Sequence, residues 1–236
     1  MSGTWMRVVA TAGLVVGGLA CGSDDEVTVP TANELASRLV DVDTFEGDWA
    51  IDIPDDAPEG AASGVVTPAM NDQLPRMDLC PAASAEARAL AEDLPWMAFR
   101  QLALTVADPI EPPDDRTGHM VSVQEFLLAD EPVMVAEMYR TFRDGMEACL
   151  GEVPAGEEGP GLAEVMALPE IGDDRYGALL TVEEAGGWAE WRLHSALVRD
   201  GTVLAWVLVI DIRADAEPYF TVDQVGRMVE TTVGLL

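Results

Sequence analysis

The sequence contains no lysine. Its 13 basic residues are all arginine, they face 43 acidic residues, and the formal net charge is −30. Without lysine no Walker-type phosphate loop can exist, because that loop needs the ammonium beside the phosphates. The charge argues against nucleic acid as a partner, since phosphates are repelled. It also disfavours lying flat on an anionic membrane. The plain reading of so many acids is a solvated acidic surface.

Other chemistry-bearing residues are scarce. There are two histidines and three cysteines. C-x-x-C, H-E-x-x-H and G-x-S-x-G are all absent, which removes the commonest redox, zinc-protease and serine-hydrolase signatures. Asp41-Val-Asp43-Thr-Phe45-Glu46-Gly47 resembles a calcium loop only on the surface. Its fifth position is Phe45, where an oxygen ligand is needed, and its sixth is Glu46, where glycine is needed. No cofactor and no metal are expected, and catalysis is not.

Long apolar runs are scarce too. The run Val8–Ala20 spans 13 residues, short of the ~20 that cross a bilayer. With Arg7 before it and small residues after it, it reads as the core of a signal peptide over residues 1–20. Gly18-Leu19-Ala20-Cys21 resembles a bacterial lipobox, with leucine one place nearer the cysteine than usual. That resemblance implies cleavage before Cys21 and acylation of its thiol, which would anchor the chain to the cell membrane on its extracytoplasmic face. Two acyl chains hold stably, each buried CH2 contributing about 0.8 kcal/mol. Met6 is an alternative start, since MRVVATAGLVVGGLAC reads as a complete short leader. Residues 21–30 then form an acidic tether.

With Cys21 set aside, Cys80 and Cys149 remain. In an oxidising compartment an even pair reads as a disulfide. The alternative is two buried free thiols. A metal site is disfavoured, because neither has Cys or His at ligand spacing.

The rest of the chain, with 49% hydrophobic residues, reads as globular. Thr31-Ala-Asn-Glu34 is a capping box opening a helix, and residues 41–79 are Asp-, Pro- and Gly-rich loops with a short extended piece around Asp48–Ile53. A helix is expected over Ala82–Asp93, then strands over 96–107 and His119–Ala129. Asp130 is the expected cap of the next helix, whose apolar face is Val135, Met138, Tyr139, Phe142, Met146 and Cys149. An acidic loop, Glu152–Gly161, leads to strands Leu162–Leu168, Tyr176–Glu184, Trp188–Arg199 and Thr202–Arg213. Asp200-Gly201 marks a hairpin. Thr221-Val-Asp-Gln224 opens a closing helix with Val222, Val225, Val229 and Val233 on one face. The order predicts an α+β fold: one twisted antiparallel sheet with helices packed mainly on one face.

Among the strands, one stretch carries mixed chemistry: Trp188-Ala-Glu190-Trp191-Arg192-Leu193-His194. Alternation puts Trp188, Glu190, Arg192 and His194 on one face and Trp191 and Leu193 on the other. The first four could line a cleft for a small polar ligand. The plainer reading is a solvated sheet face with cross-strand ion pairs. For His119 and His194 individually, the plainer reading is a surface or hydrogen-bonded ring.

Several short motifs, in order, resemble the PknH-like extracellular sensor domain of actinobacteria. They are Leu79-Cys80-Pro81, Trp96 and Arg100, Val123-Gln124-Glu125-Phe126, Glu147-Ala148-Cys149, Pro169-Glu-Ile171-Gly172-Asp173 and Val198-Arg199-Asp200-Gly201-Thr202-Val203-Leu204. The resemblance covers residues 31–236. It implies an antiparallel sheet flanked by helices, a cleft for an extracellular ligand, no catalysis, and the Cys80–Cys149 disulfide. The expected role is thus a lipid-anchored ligand-binding or sensor module. The alternative is a structural or interaction lipoprotein with a partner in a cell-envelope complex.

Overall fold

The computed structural model describes residues 27–52, 63–67, 74, 80, 82–105, 120–153, 160–183, 189–214 and 218–236. The expected signal peptide, Cys21, His119 and Trp188 lie outside them.

Every strand pair among the described residues is antiparallel. The elements run α1 (Ala32–Ala36), β1 (Trp49–Ile51), β2 (Ser63–Val65), α2 (Ala85–Asp93), β3 (Ala98–Leu104), β4 (Met120–Ala129) and α3 (Pro132–Glu147), and then β5 (Gly151–Val153), β6 (Gly161–Met166), β7 (Asp174–Glu183), β8 (Ala189–Asp200), β9 (Val203–Ala214) and α4 (Val222–Val233). The nine strands form one sheet in the order β1-β3-β4-β9-β8-β7-β6-β5, and β2 shares the outer edge of β3 with β1. The long β8–β9 hairpin turns at Gly201, whose φ of 55° suits glycine.

The α+β class and the single antiparallel sheet are as expected. The helices are shared between the two faces rather than gathered mainly on one. The reason is that the inner strands are apolar on both sides. On one face Phe99, Phe126, Leu197, Leu204 and Trp206 pack under α2 and α3. Trp206 stands at the centre of an aromatic cluster, with ring centroids 4.7 Å from Phe126 and 5.9 Å from both Trp96 and Phe142. Its indole N–H donates to Ser195 Oγ at 2.9 Å, so the buried ring leaves no donor unpaired. Burying a ring such as Phe126 or Phe142 contributes about 2–3 kcal/mol.

The opposite face carries Leu102, Val121, Val123, Ala196, Val198, Val207 and Val209, packed under α4. Beside them α1 seats Leu35 on Ala98, Leu127, Val203 and Ala205. Both capping boxes form: Thr31 with Glu34 opens α1, and Thr221 with Gln224 opens α4. The cap of α3 is Glu131, not Asp130. Pro132 occupies the first helical turn, and the Asp130 carboxylate instead accepts the Glu131 amide at 2.7 Å.

Cys80 and Cys149 form a disulfide, with Cα atoms 5.5 Å apart. It ties the approach to α2 to the end of α3. Among the described residues no helix is long and apolar enough to cross a membrane.

Candidate functional site

Two acidic residues sit where alternation calls for apolar ones. On β4, Val121, Val123, Glu125 and Leu127 point to the α4 face, and all four are buried. On β9, Val207, Val209 and Asp211 do the same. Each carboxylate grips a segment that lies over the sheet.

Glu125 accepts the Val40 amide at 2.8 Å. Its register partner across the β3–β4 pair is Arg100, which donates to the Val40 carbonyl at 2.5 Å and to Ser63 Oγ at 2.7 Å. Asp41 lies 3.8 Å from the same guanidinium. Both backbone groups of Val40 are therefore held by one cross-strand pair. Burial pushes the Glu125 carboxyl up to about 8, against the Val40 hydrogen bond and the charge of Arg100.

Asp211 accepts two amides from the stretch that leads into α4, Tyr219 at 2.5 Å and Phe220 at 3.2 Å. Burial raises its carboxyl above the usual range, while those amides and Arg213 and Arg192 pull it back.

The two held segments form the walls of a groove of about 600 Å³. One wall is Thr44–Gly47 with Trp49, the other Tyr219, Phe220 and the first turns of α4, including Gln224 and Arg227. Trp49 stacks on Phe220, centroids 6.3 Å apart and planes 4° apart, and Phe45 meets Trp49 edge-on at 5.9 Å. Gly47 is required here. It has φ 128°, and a Cβ on it would fall 2.7 Å from the Leu104 side chain.

The strip chosen from the sequence adjoins this groove. Glu190, Arg192 and His194 share the α4 face, and Trp191 and Leu193 turn the other way, as alternation requires. Glu190 and Arg192 are partly exposed and pair with each other along the strand rather than across it. His194 is 1% exposed, and neither ring nitrogen has a hydrogen-bond partner among the described residues. Burial, with Arg192 nearby, lowers it to about 4, so the ring is neutral near pH 7. It is not a surface histidine, and among the described residues it is not a hydrogen-bonded one. Arg192 pairs in register with Asp211, and Arg213 lies 5.7 Å over the Tyr219 ring. The strip thus reaches the groove through Tyr219, although the groove walls themselves come from other residues.

Sequence reasoning missed Glu125 and Asp211. A signal was present: each is an acid in phase with valines on a long apolar strand. Among the described residues no cluster of three or more His, Cys, Asp or Glu could hold a metal.

No protein-family model matches this sequence. No curated protein matches it either. Among solved structures it is similar to the extracellular domain of PknH from Mycobacterium tuberculosis. The likeness has a TM-score of 0.48 and 16% sequence identity, and covers 88% of this chain and 97% of that one.

Proposed function

We propose that this chain is an extracytoplasmic lipoprotein, anchored through Cys21, whose folded domain binds a small ligand without transforming it. The observation that carries the reading is the groove of about 600 Å³ between Thr44–Trp49 and Tyr219–Thr231. Its size falls within the range of small-molecule sites, and it combines aromatic walls with a few polar groups, here Gln224, Arg227 and Glu46. The Cys80–Cys149 disulfide supports an oxidising compartment. The raised carboxyls, Glu125 and Asp211, are engaged with backbone amides of the segments that lead into or form the groove walls. That gives them a structural task rather than a chemical one. Glu190 and Arg192, both partly exposed, remain candidates for a neighbouring part of the ligand surface; Trp188 lies outside the described residues, and the buried His194 offers no such surface.

Native mass spectrometry of the protein recovered from its own envelope tests the binding. A bound small molecule, released on denaturation, is expected. Recovery of the bare chain alone contradicts it. Detergent phase partitioning tests the anchor: the mature protein should enter the detergent phase and a Cys21→Ser variant should not.

The second reading, a partner in an envelope complex, is favoured by one feature. Strand β6 exposes Leu162 and Val165 near the sheet edge, Val165 by 63%. A protein partner in place of a small molecule in the same measurement would select it.

A further inference from the structure

We propose that Glu125 and Asp211 are proton-dependent latches that hold the two walls of the groove against the sheet, so that acidity governs how firmly the groove is closed. This inference rests on the groove being the binding site and concerns its regulation.

The geometry is paired. Glu125 on β4 takes the Val40 amide, four residues before the first groove residue, Thr44. Asp211 on β9 takes the amides of Tyr219 and Phe220, which are groove residues themselves. Both carboxylates rise from the same sheet face, 0% and 1% exposed. In each, the second oxygen has no hydrogen-bond partner among the described residues. Each is therefore a buried carboxylate with only one oxygen satisfied, which leaves part of the cost of ionisation uncompensated.

The surrounding charges do not remove that cost. Glu125 faces Arg100 from β3 and, beyond it, Asp41 from the segment after α1. From β9 it meets Val207, and the buried face of α4 is uncharged: Val225, Met228, Val229, Thr232 and Val233. Asp211 faces Arg192 from β8, itself paired with Glu190, and Arg213 from its own strand. His194 lies diagonally from it, in register with Val209; β4 offers Val121, and the groove wall offers Tyr219.

Burial raises both carboxyls, Glu125 to about 8. An opened latch puts its carboxyl in water, at its ordinary value. The closed state therefore holds a proton that the open state releases. Between the ordinary carboxylate range and about pH 8, rising pH favours opening at Glu125, by up to about tenfold per unit. The groove is held firmly in acid and loosens toward alkaline pH.

Amide-exchange protection read by NMR between pH 5.5 and 8.5 tests this without any ligand. In the wild-type protein the protection factor of Val40 should fall at least tenfold across that range, and those of Tyr219 and Phe220 should move in the same direction. Glu125→Gln keeps the shape and an acceptor without the titration, so it should flatten the profile at Val40 alone. Asp211→Asn should flatten it at Tyr219 and Phe220 alone. A level wild-type profile at Val40 overturns the proposal, as does a fall that persists unchanged in the matching variant. If a variant does not fold, the wild-type profile still decides. Because no ligand is involved, a failed latch is distinguishable from a groove that binds nothing.

Discussion

Trp49 and Phe220 stack almost in parallel, 4° between their planes, although 171 residues separate them in the chain. One comes from the edge strand β1 and the other from the approach to α4, so their contact joins the two walls of the groove. Such a pair contributes about 1 kcal/mol beyond the area it buries. A double-mutant cycle with Trp49→Leu and Phe220→Leu, followed by urea unfolding, should give a favourable coupling of that size. Additive losses would mean that the rings do not interact.

The disulfide makes a larger claim. Cys80 and Cys149 are 69 residues apart, and closing that loop in the unfolded chain is worth about 4 kcal/mol in the loop-entropy treatment. Replacing both by alanine should lower unfolding stability by roughly that amount. Reductant should lower the wild type toward the double variant and leave the variant unmoved. A wild type indifferent to reductant would show the two thiols to be unlinked.

His194 gives a prediction with a definite sign. Its folded value of about 4 lies below the 6.5 of a free ring, so below pH 6.5 the unfolded chain takes up a proton that the fold refuses. This contribution is whole above 6.5 and is lost as pH falls to about 4, with a loss of up to ~3 kcal/mol. His194→Leu abolishes that loss. It also removes a buried ring N–H with no partner among the described residues, and should raise stability at pH 7 by about 1 kcal/mol. Glu125 and Asp211 titrate in both proteins and cancel in the comparison. Urea unfolding of the two at pH 4.5 and pH 7 measures it; a His194→Leu variant weaker at both pH values contradicts this account of the ring.

Most of the sheet was legible because its long strands are largely apolar runs bounded by turn signals such as Asp200-Gly201. β4, β8 and β9 lie within a residue or two of where the pattern put them, and both capping boxes were readable as Thr-x-x-Glu and Thr-x-x-Gln. The misses have local causes. β5 is three residues long, Gly151–Val153, at the start of a Gly- and Pro-rich stretch whose composition reads as loop. β2 is equally short, amid the Asp-, Pro- and Gly-rich 41–79 region. Helices on both faces were hidden because an apolar strand face does not say what covers it. The groove was not legible at all: its walls, 44–49 and 219–231, meet only through the sheet order that sets β1 and β9 on either side of β3 and β4. The Glu190–Arg192–His194 strip drew attention because its chemistry is dense. Glu125 and Asp211 did not, because each is a single acid among aliphatic neighbours.

The central claim is that a small molecule binds between Tyr219 and the Thr44–Trp49 wall. Native mass spectrometry of three forms recovered from the same envelope tests it most directly: wild type, Tyr219→Ala and Val165→Asp. Tyr219 is 40% exposed in the groove, and Val165 is exposed near the far sheet edge, so neither change should unfold the domain. A bound small molecule is expected on the wild type and on Val165→Asp, with at least a tenfold smaller bound fraction on Tyr219→Ala. Equal occupancy of all three, or a wild type that carries nothing, would contradict it.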